Sequence, residues 1–319
     1  MTPPTFTNVL EAKQTLARYL PRTQLSHYPA LDRVCGARIL VKHENYLPTG
    51  AFKVRGGINL VLRLPASERE RGVISASTGN HGQSIAYAAR LSGVPATIVV
   101  PEQANLLKVE AMRNLGAEVM HYGVDFDAAR ERCEALARER GLRYIHSGNE
   151  PLLIAGVATL ALEIIEDAPD VDMIVVPVGG GSSAAGACLV AKTLNPRVQV
   201  IGVQSEAAPA AYNSWRAREL LEAEMKTAAE GLATRTAFAL PQQMLWAQLD
   251  DFILVSEEEI LRATAIFIDK AHTLAEGAGA SSLAAAIKLR DRFAGKTVSL
   301  VLSGGNITVN QINAALATL

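Results

Sequence analysis

Residues 173–186 read MIVVPVGGGSSAAG. A short apolar, β-branched run is followed at once by three glycines, and two serines then open an alanine-rich segment. The apolar run is continuous rather than alternating, which is the pattern of a strand buried on both faces of a parallel sheet. A glycine run directly after such a strand lets the backbone wrap an anion, and a helix that follows aims its positive end at it. Phosphate is the natural guest. The same residues also suit a plain tight turn with close helix packing. They suit a dinucleotide site as well, because Gly179, Gly181 and Ala184 match G-x-G-x-x-A, and Glu206 ends the next apolar run, where a ribose-binding acid belongs. On this stretch alone the three readings stand side by side.

Working outward, comparable runs recur at 38–42, 72–75, 96–100, 118–122, 198–203, 252–255 and 298–302. Helical patterns lie between them. Over 125–140, Phe126, Ala129, Cys133 and Leu136 share one stripe. Ser256 with Glu259, and Thr308 with Gln311, predict capping boxes, while Gly116 and Gly141 stand where helices would stop. Strand and helix in alternation mean an α/β fold with right-handed crossovers and helices on both sheet faces. No obvious boundary interrupts the alternation, so a second lobe is expected to be inserted rather than appended. In such folds ligands bind beyond the carboxyl ends of the strands, which is where glycine-rich segments matter.

Composition removes several function classes. The chain has 319 residues, 49% apolar and 20% charged, with 31 Lys+Arg against 32 Asp+Glu. That balance offers no basic stripe for nucleic acid. No apolar run approaches the roughly 20 residues of a membrane helix, and no secretory leader is expected from the first residues. Three widely spaced cysteines (Cys35, Cys133 and Cys188) form no CxxC pair, so a reducing, cytoplasmic setting is expected and no metal is.

Two more loops and one lysine carry chemistry. Ser77-Thr78-Gly79-Asn80-His81-Gly82-Gln83 follows the run 72–75 and opens a helix. It would present N–H groups and short polar side chains to a carboxylate or phosphate, or simply cap the helix. Ser303-Gly304-Gly305-Asn306 follows the run 298–302 in the same way. Lys53 lies in TGAFKVRGG (residues 49–57), after Phe52 and before Val54, with glycines on both sides. A lysine in apolar surroundings gives up its proton more readily, and can then act as nucleophile or base.

Taken in order, these segments resemble the serine/threonine dehydratase and serine racemase family of fold-type II pyridoxal-phosphate enzymes. TGAFKVRGG is similar to that family's cofactor-lysine motif, STGNHGQ to its asparagine loop, GGGSSAAG to its phosphate loop and SGGN to its pyridine-contacting motif. LAEGAGA, around Glu276, is similar to a further stretch. The resemblance runs from about residue 22 to 307. It implies two lobes, each with a mainly parallel open sheet flanked by helices: a large one from 1–71 and 148–319, and a small inserted one from 72–147. It implies that Lys53, beside Phe52, carries pyridoxal 5'-phosphate and acts as base at Cα. Gly179, Gly180, Gly181, Ser182 and Ser183 would hold the phosphate, and Asn80, Glu276, Ser303 and Gly304 would surround the ring. Ser77, Thr78, Gly79, Asn80 and His81 would bind the substrate, Thr78 also in a catalytic place where racemases hold a serine.

The activity so implied is a dehydratase, or ammonia-lyase, acting on a small β-hydroxy-α-amino acid of the L-threonine or L-serine type. A serine at the ring nitrogen, a weak acid, favours β-elimination over transamination. The alternatives are a bulkier β-hydroxy substrate such as phenylserine or 3-hydroxyaspartate, an amino-acid racemase and, in another class, a nucleotide-binding oxidoreductase. Ala51 stands where many relatives carry serine, Val157 where they carry glutamine, and Ser182 replaces a fourth glycine. Ala51 and Val157 would leave room for a larger side chain. Gln204 and Ala210 replace the acidic cation ligands of eukaryotic racemases. A homodimer, closure of the lobes on substrate and the absence of isoleucine-type feedback are further expectations.

Overall fold

The computed structural model describes residues 1–124 and 126–319. Among these residues there are ten strands: β1 (Leu25–His27), β2 (Arg38–His43), β3 (Val73–Ala76), β4 (Ala96–Val100), β5 (Glu118–His121), β6 (Arg143–Tyr144), β7 (Met173–Pro177), β8 (Gln199–Ser205), β9 (Asp251–Val255) and β10 (Thr297–Leu302). They form two sheets. Six strands run in the order β1-β2-β10-β7-β8-β9, and four in the order β5-β4-β3-β6. Among the strand pairings of the described residues only β1–β2 is antiparallel. The α/β class with mainly parallel sheets is therefore as expected. The eight apolar runs all became strands, and the sequence pattern missed β1 and β6, of three and two residues.

Why the runs are continuous is visible in the packing. Along β7, Ile174 and Val176 face one apolar cluster, Met173 and Val175 the other, and all five residues are buried. Helices cover both faces, so neither set of side chains meets water. In the four-stranded sheet, Ile74 and Ala76 of β3 face a cluster different from that of Val73. The helix expected over 125–140 is found as Phe126–Arg140; Asp125 lies outside the described residues. Both predicted capping boxes form, at Ser256 and Thr308. Gly116 and Gly141 take positive φ of 88° and 66°, which glycine adopts without a Cβ penalty.

The helix Lys53–Val61 is wedged between the helices Asn80–Ser92 and Pro151–Asp167. Its Gly56 and Gly57 permit this. A Cβ on Gly56 would strike Leu153, and one on Gly57 would strike Ser84. The wedge is locked electrostatically. Arg55, almost wholly buried, bonds Glu44 through Nε and Nη2 (2.7 and 2.9 Å) and Glu163 through Nη1 and Nη2 (2.7 and 2.9 Å). Lys42 adds a 2.6 Å contact to Glu163, and Thr23 and Thr159 donate or accept at the margins. The two cations hold the Glu163 carboxyl down at about 2, against the upward push of burial. Lys53 thus starts a helix whose position is fixed on three sides.

Candidate active site

Four strand ends meet at Lys53. The loops after β7 and β10 come from neighbouring strands of the six-stranded sheet, and those after β3 and β6 from neighbours in the other. Lys53 Nζ donates to Ser182 Oγ beyond β7 (3.2 Å) and to the Ser147 carbonyl beyond β6 (3.2 Å). The Phe52 N–H donates to the Ser303 carbonyl (3.0 Å), Ala51 bridges Gly304, and the Gly305 N–H donates to the Gly50 carbonyl (2.9 Å). The lysine segment is stitched to the segment after β10 on both sides of the reactive residue. The Phe52 ring lies 5.2 Å from Nζ. Desolvation pulls the Lys53 amine down to about 8.

Facing the amine is the start of the helix Ser182–Leu194. The first amides of a helix have no intrahelical acceptor. Here no side chain caps them and no acidic residue occupies the first turn, yet Ser182, Ser183 and Ala184 are buried. Buried orphan donors at a helix start are an anion site. Gly181 enters it at φ 85°, and Gly180 lies so close to Phe238 that a Cβ would overlap the ring. Ser182, the first helical residue, takes a right-handed conformation that accepts its Cβ, and its hydroxyl meets Lys53 instead. Ser183 Oγ turns back to the Pro177 carbonyl (3.3 Å).

On the third side, Asn80 joins two segments. Its Nδ2 donates to Glu276 Oε1 (2.6 Å), and its Oδ1 accepts from Asn306 Nδ2 (2.8 Å), which also donates to the Thr49 carbonyl (2.9 Å). Burial pushes the Glu276 carboxyl up to about 7, opposed by Lys108 and by the bond from Asn80 and assisted by the neighbouring Glu230 carboxylate. The hydroxyls of Ser303 and Thr78 have no hydrogen-bond partner among the described residues; Ser303 is buried and Thr78 half-buried.

Other expected residues turn inward. Ser77 Oγ accepts from the Gly79 and Gly82 amides (3.2 and 2.9 Å), so its side chain shapes the loop as a cap. His81 is buried, with Nε2 against Ser75 Oγ (3.0 Å). The Ser75 hydroxyl already donates to the Ile145 carbonyl, so His81 must be the donor, and burial holds its ring neutral near 3. The Ser77 and Gly79 amides are engaged as well, by the Val99 carbonyl (3.2 Å) and by Ser77 Oγ. Ala51 is buried in its bridge to Gly304, and Val157 packs against Gly56. Neither opens space for a larger side chain, which corrects that expectation. Glu206 is exposed and pairs with Lys288 (3.3 Å).

Several neighbours carried no sequence signal. Phe238 packs edge-on to His146 (4.7 Å between centroids) and against Gly180. His146 accepts two amide N–H bonds at Nδ1 and is pushed down to about 4 by burial. Lys108 pairs with Glu230 across the loop after β3.

A donor set of this kind fits a phosphorylated aldehyde. It holds a primary amine that is readily neutral, an uncapped helix start for a phosphate and a free hydroxyl for a ring nitrogen. The comparisons point the same way. The profile of the family described as "Pyridoxal-phosphate dependent enzyme" matches residues 16–304. An L-threonine ammonia-lyase of Thermotoga maritima is 42% identical over 97% of this chain and 77% of its own length. A catabolic L-threonine dehydratase of Staphylococcus aureus is 35% identical over 97% and 91%. The crystal structure of serine racemase from Dictyostelium discoideum superposes with a TM-score of 0.90 at 31% identity, over 96% of this chain and 99% of that one.

Proposed function

The chain belongs to the family of pyridoxal-phosphate-dependent enzymes, and on that premise we propose that it is an ammonia-lyase converting L-threonine or L-serine to a 2-oxo acid and ammonia. The observation that carries this reading is the Lys53 amine, desolvated and bonded to Ser182 at an uncapped, buried helix start, with Ser303, whose hydroxyl has no partner among the described residues, bonded through its carbonyl to the adjacent Phe52 amide. Its relatives named for threonine ammonia-lyase and dehydratase activity support the reaction class.

Pyridoxal 5'-phosphate, when bound, supplies the electron sink that stabilises negative charge at the substrate Cα. Lys53 carries that group and takes the Cα proton on Nζ; an amine near 8 has a usable neutral share at neutral pH. The amides of Gly179, Gly180, Gly181, Ser182 and Ser183 hold the phosphate. Ser303 would donate to the ring nitrogen and, being a weak acid, would leave it neutral, which favours loss of the β-hydroxyl. Asn80, itself fixed by Glu276 and Asn306, borders the ring with Gly304 and Phe52. Thr78, Gly79 and the amides of Asn80 and His81 hold the substrate carboxylate, and Ser77 shapes that loop. Residues 72–147 act as a small lobe that closes on 1–71 and 148–319. A homodimer in the cytoplasm completes the proposal, in keeping with three free, buried cysteines and with the commonest mode of assembly. Among the described residues no helix is long and apolar enough to cross a membrane.

The test is 2-oxo acid release from cofactor-loaded protein with both enantiomers of serine and threonine, phenylserine and 3-hydroxyaspartate. Release from L-threonine or L-serine, lost in Lys53→Ala together with the yellow absorbance, is expected. Retention of release in Lys53→Ala refutes the assignment. A second reading, racemisation, is favoured by the unpartnered Thr78 hydroxyl; appearance of the opposite enantiomer without 2-oxo acid would establish it.

A further inference from the structure

Above the loop after β3 stands an ion pair that the proposed chemistry does not use. Lys108 rises from the first turn of the helix Leu106–Asn114, between β4 and β5, and is buried. Glu230 opens a short turn, Glu230–Leu232, between β8 and β9. Their contact joins a segment of the four-stranded layer to one of the six-stranded layer. Both charges lie against the loop. The atoms nearest to where a Cβ on Gly79 would stand are Lys108 Nζ (3.7 Å), Lys108 Cδ and Glu230 Oε2 (4.0 Å). The same turn reaches the other walls. A Cβ on Gly231 would lie 3.8 Å from Glu276 Oε1, and the Gly231 carbonyl backs onto Gly179. Glu276 feels both members, Lys108 pulling its proton affinity down and Glu230 raising it.

We propose that the Lys108–Glu230 pair sets the side-chain specificity of the site, admitting neutral β-hydroxy substrates and excluding those that carry a second carboxylate. The proposal rests on the reading that the loop 77–81 holds the substrate carboxylate, which places the side chain within a few bonds of the pair. With Lys108 neutralised by Glu230, no free cation awaits a second anion there. An acidic side chain would also bring its carboxylate beside that of Glu230, whose carboxylate is exposed while its partner Lys108 is buried, so like charges repel there, though solvent screens them. Removing the Glu230 charge leaves Lys108 a buried cation over the loop with no carboxylate hydrogen-bonded to it among the described residues. That is a binding site for the carboxylate previously excluded.

The experiment compares two four-carbon probes, succinate and butyrate, by calorimetry on the cofactor-loaded protein. Wild type is expected to bind succinate no tighter than butyrate. Glu230→Gln is expected to tighten succinate by about tenfold or more while butyrate changes by less than about twofold. The gain should vanish in Glu230→Gln/Lys108→Met, and kcat/KM for 3-hydroxyaspartate relative to L-threonine should follow succinate affinity. The idea fails if wild type already prefers succinate by tenfold. It fails equally if both probes shift by one factor in Glu230→Gln, or if the gain survives loss of Lys108. The wild-type comparison needs no variant to fold. Absence of 2-oxo acid release with the succinate pattern intact would remove the ammonia-lyase reading alone; the converse result would remove this proposal alone.

Discussion

Replacing Arg55 with methionine tests whether the lysine helix is held by its buried ion network. The substitution keeps much of the apolar stem and deletes the guanidinium. Glu44, fully buried, then loses the only cation hydrogen-bonded to it among the described residues and keeps Thr23 alone. Glu163 retains Lys42. Breaking a buried pair from one side leaves an uncompensated charge and costs about 3–5 kcal/mol, or roughly two to three and a half orders of magnitude in the folding constant. Urea unfolding followed by fluorescence of Trp215 and Trp246 would measure it. The pH dependence gives a second handle. In wild type the Glu163 carboxyl sits near 2, below its unfolded value, so its stabilisation is present above about 4.5 and lost as pH falls towards 2. In the variant Glu163 loses Arg55 and keeps only Lys42, so part of that stabilisation is gone. The gap between the proteins should therefore narrow as pH falls from about 4.5 towards 2, and Glu44→Gln in the variant background should restore about 1–3 kcal/mol. A loss below about 1 kcal/mol at pH 7, or a gap that ignores pH, would refute the argument.

Three more outcomes are expected. Gly180→Ala drives a methyl into the Phe238 ring and should weaken pyridoxal phosphate retention by the equivalent of about 1–3 kcal/mol, read by titrating the cofactor-free protein. In Glu276→Gln the decline of stability between pH 5 and 8 should flatten: the native carboxyl at about 7 binds its proton more tightly than the unfolded one, so wild type loses up to about 3 kcal/mol across that window; parallel pH curves for the two proteins would contradict the burial account. Ser182→Ala deletes an acceptor of the Lys53 ammonium and should lower the titration of the amine by up to about one unit, measured by its rate of acylation against pH; an upward shift would show that the hydroxyl does not stabilise the charged form.

The sequence disclosed what depends on local pattern and hid what depends on convergence. Strands of four or more residues announced themselves because burial on both faces demands an unbroken apolar run, whereas Leu25–His27 and Arg143–Tyr144 are too short to show a pattern. The glycine run was legible for the same reason: close approach to Phe238 and a positive φ leave few residue types possible. Lys108 was not legible. In ANLLKVEA it looks like any exposed helical lysine, and only the fold brings Glu230, 122 residues away, to bury it. Phe238 precedes a helix without periodicity of its own, and Ser147 contributes a carbonyl, which any residue could supply. The loop 77–83 shows the opposite limit. Its residues were read together as substrate ligands, but Ser77 and His81 point their side chains into the fold, a distinction that depends on rotamers rather than residue type.

The placement of Lys53 follows from helix geometry more than from apolar surroundings alone. It is the first residue of its own helix and faces the start of a second, and neither helix has an acidic residue in its first turn. Two positive helix ends therefore bear on one ammonium, and burial adds to them. Opposing these are a carbonyl and a hydroxyl; among the described residues no carboxylate bonds Nζ. An arrangement that disfavours a cation favours an anion in the same measure. An anion at Ser182 and Ser183 would relieve the field on Lys53 and raise its affinity for a proton. By linkage, protonating Lys53 would tighten the anion by the same factor. The uncapped helix start and the lowered amine are thus two expressions of one field, and the helix wedge locked by Arg55 keeps the amine inside it.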